Sequence, residues 1–333
     1  MRRALGPGLG LLAILIVPLA APPYQTLLML PFMAYGVVLL GVNLLFGYTG
    51  LLSFGHALFV GLGAYAGAFL THRFGLRSME LILLVAGVLG ALVAAPVAAL
   101  CVRYVKIYFG MLTLAFGMVF YTFVLKFYAL TGGDEGMPFL RPLLLGRDLS
   151  AMPKTDYLIG PYYYYCAAVL VLATAAMWRI VHSPFGLCLR AIRDNPVKAQ
   201  ALGLSVPRYR FSAFVISAVY AAAGGALLGP PIGNVDPTLV YWTHSGNLVF
   251  MTLLGGFTHF FGPIVGALAF IYLQDVVMSL VSYWRLVFGA LLALIVIFAP
   301  TGLMGLFARR RTAIESSHTY ARAGVAAPES PLR

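Results

Sequence analysis

The segment NLLFGYTGLLSFGHALFVGLGAYAGAFL, residues 43 to 70, holds no Asp, Glu, Lys or Arg and has glycines at 47, 50, 55, 61, 63 and 67. It is longer than the about 20 apolar residues that a helix needs to cross a bilayer. Glycines this dense permit a break in the backbone, close helix crossings, or both. Non-helical backbone at bilayer depth has to be buried in protein or line a wet cavity. Polar Tyr48, Thr49 and Ser53 gather around Gly47 to Ser53. One reading is a broken helix lining a substrate path, with Phe54 as an apolar wall. The other is glycine used only for helix packing.

Working outward, the same apolar character recurs along nearly the whole chain. Of its 333 residues 61% are hydrophobic and 10% charged, against about 25% charged in a soluble domain. Apolar runs near 9–22, 24–46, 54–71, 80–101, 107–129, 161–181, 210–229, 245–256, 263–282 and 286–303 predict an all-α, polytopic membrane bundle. About ten segments result, of which the eighth is too short to cross alone. Residues 1–307 form one membrane domain, and the polar, small-residue-rich 308–333 reads as a disordered tail. The opening Met1-Arg2-Arg3, the apolar run Leu9 to Ala21 and Pro22-Pro23 fit either an uncleaved first helix or a secretory signal.

The formal net charge is +12, yet the basic residues sit between spans and form no aromatic-interleaved patch, so no nucleic-acid partner is expected. The loop from Arg179 to Arg210 and the run Arg309-Arg310-Arg311 orient the bundle with both termini in the cytoplasm by the positive-inside bias. Arg2, Arg3, Arg103 and Lys106 then fall inside. Thr131 to Gly160, with Asp134, Glu135, Asp148 and Asp156, falls outside, as do Arg73 and Arg77 against the rule. Cys101, Cys166 and Cys188 share no metal or redox spacing and read as structural thiols.

The loop SPFGLCLRAIRDNPVKAQALGLSV, residues 183 to 206, carries two start signals, Ser183-Pro184 and Asn195-Pro196, and a stop at Gly203. Two short amphipathic helices are predicted, with Phe185, Leu189 and Ile192 on one face of the first and Arg190 and Arg193 pointing elsewhere. Such a loop can lie on anionic lipid or serve as a docking knob for a soluble partner. Its capping pattern and mid-loop Gly186 favour the knob.

A second Gly-rich stretch, SGNLVFMTLLGGFTHFFGPIVGALAF, spans residues 245 to 270. VGLGAY at 60–65 and VGALAF at 265–270 each follow a Phe-Gly pair, which reads either as a worn internal repeat or as chance. Ser245, Asn247, Phe250 and Leu254 are its candidates for hydrogen bonding and for a greasy wall. The phosphate loop G-x-x-x-x-G-K-[ST] and the zinc motif H-E-x-x-H do not occur in the sequence. No catalytic residue, metal or cofactor is expected. His56 has no carboxylate near it in sequence and reads as a hydrogen-bonded structural residue. Asp275 is the one acid in a predicted span, open to a functional or a satisfied structural role.

Together GYTGLLSFGHALFVGLGAY (47–65), TLAFG (113–117), TGGDEGMP (131–138), SPFGLCLRAIRDNPVKAQALG (183–203), LLGGFTHFFGPIVGA (253–267) and FAPTGLMGL (298–306) resemble the permease subunits of branched-chain amino-acid ABC transporters, in particular the M-type of two related permeases. The resemblance covers all but the two ends of the chain. It implies an inner-membrane importer of leucine, isoleucine or valine, driven by ATP through alternating access. The implied partners are a second homologous permease, two cytoplasmic ATPase subunits, a periplasmic binding protein and the lipid bilayer. By the same resemblance Ser183, Pro184, Gly186, Arg190, Ala191, Arg193, Ala201 and Gly203 belong to the ATPase-coupling segment. His259, Phe261 and Cys188 depart from the family pattern. Close relatives of this architecture carry urea or short amides, and an ion-coupled carrier would share the helical design but would need ionisable groups at depth.

Overall fold

A computed structural model describes residues 18, 22–105, 107–298 and 302–305. The expected helix at 9–22 falls almost wholly outside these residues, and the tail 308–333 entirely so. In chain order the helices are α1 (Pro23–Thr49), α2 (His56–Arg73), α3 (Met79–Cys101), α4 (Ile107–Lys126), the single turns α5 (Tyr128–Thr131) and α6 (Lys154–Tyr157), α7 (Tyr163–Val181), α8 (Pro184–Asp194), α9 (Pro196–Ala201), α10 (Val206–Ile232), α11 (Trp242–Gly255), α12 (Gly262–Leu280) and α13 (Trp284–Phe298). A π-helical turn, Leu158–Tyr162, fuses α6 to α7. The one sheet among the described residues pairs β1 (Met137–Pro138) antiparallel with β2 (Asn234–Val235). The chain is an all-α polytopic membrane bundle, as its composition requires.

Among the described residues, six helices are long and apolar enough to cross a membrane: α1, α3, α4, the continuous Lys154–Val181, α10 and α12. Of the remaining expected spans, α2 has 18 residues, α11 has 14 and α13 has 15. Of the expected tenth span, α13 is described as far as Phe298, residues 302–305 are helical, and 299–301 lie outside the described residues.

Helices α1 and α10 are apolar all round and therefore interior. α10 packs along α1, α2 and α3, burying Ala213, Ser217, Ala218, Ala221, Ala222, Gly224 and Gly225. These residues are small because the backbones nearly touch. A Cβ on Gly63 of α2 would lie 1.9 Å from the Ala222 carbonyl oxygen, and one on Gly225 would lie 1.9 Å from that of Val60. Helices in lipid gain little from burying apolar surface against each other, so close packing of this kind has to hold them together.

The contacts also fix where each helix sits along the bundle. α1 ends beside the 183–206 loop, and α10 starts there; this is called the loop end below. At the far end, Phe139 lies against Gly67 and Gly229, and β1 pairs with β2 beyond the end of α10. The expected outer connection, residues 131–160, is thereby tied to the segment that follows α10. Within that connection, the Tyr157 hydroxyl donates to the Pro142 carbonyl at 2.9 Å.

Asp275 lies near the far end of α12 rather than at mid-depth, and its carboxylate accepts a hydrogen bond from the Tyr24 hydroxyl at the start of α1. All three cysteines are free thiols.

Candidate functional site

Helix α1 stops at Thr49 because Gly50 takes a left-handed conformation, φ +72°. The Leu51 N–H donates back to Leu45 O at 3.1 Å and the Gly50 N–H to Phe46 O at 3.2 Å. This double bond pattern closes a helix C-terminus and suits glycine at the turning residue. Residues 50–55 then run without helical bonds until His56 opens α2. The backbone does break here, at 50–55; of the expected Gly47 to Ser53, Gly47 to Thr49 remain in helix α1.

The end of the break is not at a membrane surface. His56 Nε2 lies 2.7 Å from Ser217 Oγ, and the Ser217 hydroxyl donates to Gly41 O at 2.7 Å. Ser217 sits eleven residues into α10, about 16 Å along the helix axis. So α2 begins halfway through the bundle and runs to the far end. α11 begins at the same depth, since the Ala57 N–H in the first turn of α2 donates to Ser245 Oγ at 2.9 Å. α11 runs the opposite way, ending where Phe257 meets Phe46 near the end of α1, with ring centroids 4.6 Å apart. Two half-length helices thus place their N-termini side by side at mid-depth. Each N-terminus carries partial positive charge from its helix dipole, although in α2 the Ala57 N–H is taken by Ser245 Oγ and the Leu58 N–H by Gly55 O.

The candidate path residues occupy several settings around this junction. Tyr48 is half-buried at the loop end, with the Arg190 guanidinium 6.0 Å from its ring centroid. Thr49 is buried, and its hydroxyl donates to Leu45 O one turn back. Ser53 is buried and accepts from the Gly55 N–H at 3.3 Å, while the Phe54 N–H donates to Thr113 Oγ1 at 3.3 Å. Leu254 is buried, whereas Asn247 and Phe250 lie exposed on the outer face of α11. The junction itself is held by residues that spacing did not single out: Ser217 and Thr113. Thr113 opens the TLAFG motif quoted above, whereas Ser217 stood out only as a hydroxyl in a largely apolar stretch of α10.

The 183–206 loop folds into the two predicted short helices, α8 and α9. Asn195 caps α9 as expected, its side-chain oxygen accepting from the Lys198 N–H at 3.0 Å, and Gly203 ends the loop with φ +86°. Ser183 behaves differently. Its hydroxyl donates to Ile180 O at 2.6 Å, one turn back, and makes no cap bond to α8. Pro184 supplies the first residue of α8. Leu189 and Ile192 are fully buried, and Phe185 stacks on Tyr209 at 5.7 Å. Gly186 faces this chain's own backbone, since a Cβ there would sit 2.3 Å from Val181 O.

The two arginines stay exposed, yet each reaches a backbone carbonyl of this chain. Arg193 Nη1 donates to Gly47 O at 2.6 Å, and Arg190 makes longer bonds to Gly186 O (3.5 Å) and Val181 O (3.4 Å). Ala191, Ala201 and Gly203 remain exposed, as do the apolar side chains of Leu187, Val197 and Leu202. The departures from the family pattern also find contacts here. Phe261 stacks on Trp178 at 5.9 Å, Phe260 meets Trp178 edge-on at 4.9 Å, and His259 is 3.1 Å from the Thr258 hydroxyl. Among the described residues no His, Cys, Asp or Glu cluster is able to hold a metal.

Residues 26–296 match the family model described as "Branched-chain amino acid transport system / permease component". The high-affinity branched-chain amino acid transport system permease protein LivM of Salmonella typhimurium is 30% identical over 292 residues, 82% of this chain and 68% of the relative. LivM of Escherichia coli is 29% identical over the same shares. The permease protein LivH of Salmonella typhimurium is 24% identical over 81% of this chain and 91% of its own. No solved structure matches significantly. The chain is a member of the branched-chain amino acid transport permease family.

Proposed function

We propose that this chain is the membrane-spanning subunit of an ATP-driven importer of leucine, isoleucine or valine, working by alternating access in the inner membrane. The observation that carries this reading is the pair of helix N-termini meeting at mid-depth beside the unwound residues 50–55. An amino acid in the membrane presents a carboxylate, an ammonium and an apolar tail. Helix N-termini suit the first, free carbonyls at unwound backbone suit the second, and Phe54, Phe250 and Leu254 suit the third. No fixed ion pair is needed, which favours release over tight retention.

The 183–206 loop lies in the cytoplasm in this reading and docks a separate ATPase through its exposed Leu187, Val197 and Leu202. The sequence lacks a phosphate loop, so ATP hydrolysis comes from that partner. The exposed face of α11 turns toward a second, homologous permease, and a binding protein delivers substrate at the far end.

Reconstituted with its partners, the transporter is expected to take up labelled leucine with competition from isoleucine and valine and none from urea. Competition by urea in place of leucine would move the assignment to an amide importer. Uptake driven by an ion gradient without ATP would make the chain a secondary carrier. Cysteines at Thr49, Ser53 and Asn247, in a background without the three native ones, test the path. Uniform protection from a small water-soluble thiol reagent in every nucleotide state would leave helix packing as the role of these segments.

A further inference from the structure

We infer that Arg193 is a positioning residue: it ties the 183–206 loop to the unwound exit of α1 and so conveys the loop's movement to the mid-depth junction. The inference rests on the reading of that loop as the docking site of an ATPase.

The last carbonyls of a helix have no partners within it. At the end of α1, Leu45 O and Phe46 O are taken by the closing turn at Gly50 and Leu51. Gly47 O falls to Arg193, at 2.6 Å. A guanidinium there also opposes the partial negative charge of the helix end. Its other nitrogens are oriented by Asp194, whose Oδ1 accepts from Nε and Nη2 at 3.2 Å each. The stem of Arg193 lies over Gly50, with Cγ 3.1 Å from where a Cβ of that glycine would be. Arg193 thus touches both sides of the point where α1 unwinds.

The same point receives the end of α11. A Cβ on Gly47 would lie 2.4 Å from Phe257 O, and the Phe257 ring packs on Phe46. Two routes lead from there to the junction. One is the segment 50–55, which delivers His56 and Ala57; the other is α11 itself, which carries Ser245 back to the Ala57 N–H. A displacement of α8 therefore pulls on both half-helices at once. Arg190, three residues earlier in α8, hydrogen-bonds only to its own loop and to the end of α7 and meets α1 through the Tyr48 ring alone, so it holds no carbonyl at the unwound exit.

The test uses the full transporter in liposomes, with uptake and ATP hydrolysis measured together. Arg193→Gln is expected to lower uptake per ATP hydrolysed about tenfold, within the usual range of coupling between distant sites. Arg193→Lys keeps a cation at the end of α1 and is expected to recover about half of the lost coupling. Thiol labelling of Ser53→Cys is expected to depend on nucleotide in the parent and to lose that dependence with Arg193→Gln. Unchanged uptake per ATP together with unchanged nucleotide-dependent labelling would overturn the inference, even with a lower Tm. If Arg193→Gln does not assemble, Arg193→Lys carries the test alone: parental coupling with parental labelling again overturns it. The docking reading fails by a separate sign, namely that Val197→Asp and Leu202→Asp leave co-purification with the ATPase and its stimulation unchanged.

Discussion

Helices α2 and α11 begin side by side at mid-depth, yet they are built for opposite surroundings. α2 buries His56, Gly61, Gly63, Tyr65 and Ala68 among α3, α4 and α10. α11 buries Ser245, Leu248, Thr252 and Leu254 but exposes Trp242, Thr243, Asn247 and Phe250. Both are Gly-bearing and apolar, so hydropathy alone does not separate them. What separates them is where a methyl group has room: a Cβ on Gly63 meets backbone at 1.9 Å, and one on Gly246 meets nothing within 4 Å. The first helix is part of the subunit's own core. The second keeps a face for something outside the subunit.

The sharpest way to break this contrast is to add bulk to each helix. Gly63→Leu is expected to destabilise the subunit by about 3 kcal/mol or more through overpacking against a rigid backbone, and to remove it from the detergent-soluble, monodisperse fraction. Gly246→Leu is expected to leave that yield at the parental level while impairing assembly with the partner permease. Equal yields for the two would mean that the faces do not differ as described.

The hydroxyls at the junction come next. Ser217→Ala leaves His56 Nε2 and Gly41 O without their shared partner. About 2 kcal/mol of stability should be lost, the cost of stranding buried polar groups, read as a lower Tm of the isolated subunit. A Tm at the parental value would show that the hydroxyl chain does not hold α2 at mid-depth.

Asn247→Leu sharpens the comparison from the other side. On an exposed face it is expected to change subunit stability by less than about 0.5 kcal/mol. If Asn247 lines the path as proposed, uptake by the assembled transporter should still fall about tenfold through loss of its capacity to hydrogen-bond substrate. A clear drop in Tm with parental uptake would make the α11 face structural. The smallest effect is expected at Tyr24→Phe, which removes the exposed hydrogen bond to Asp275: no measurable change in uptake or Tm, against a marked loss of uptake if that carboxylate belonged to an ion-coupling site.

Much of this was legible in the chain before folding. The absence of charge over long stretches dictates helices, because lipid offers no partner for free N–H and C=O groups. Local signals placed α8 and α9, since Pro184, Asn195-Pro196 and Gly203 act through their own backbone. The break after α1 was also readable, as Gly50 alone among its neighbours tolerates a left-handed turn without strain.

Tertiary structure decided the rest, and the reason is distance along the chain. Local spacing placed Arg190 and Arg193 off the apolar face of α8, but only the folded bundle brings Arg193 to a carbonyl of α1 and turns Gly186 against α7 rather than outward. Likewise Ser217 and Thr113 read as hydroxyls in greasy helices until α1, α2 and the segment 50–55 arrive beside them. Charge content and glycine placement act over one or two turns, so sequence fixes what each segment is able to be. Which orphaned carbonyl meets which guanidinium depends on how the helices cross, and that is settled only when small residues such as Gly63 and Gly225 let their backbones touch.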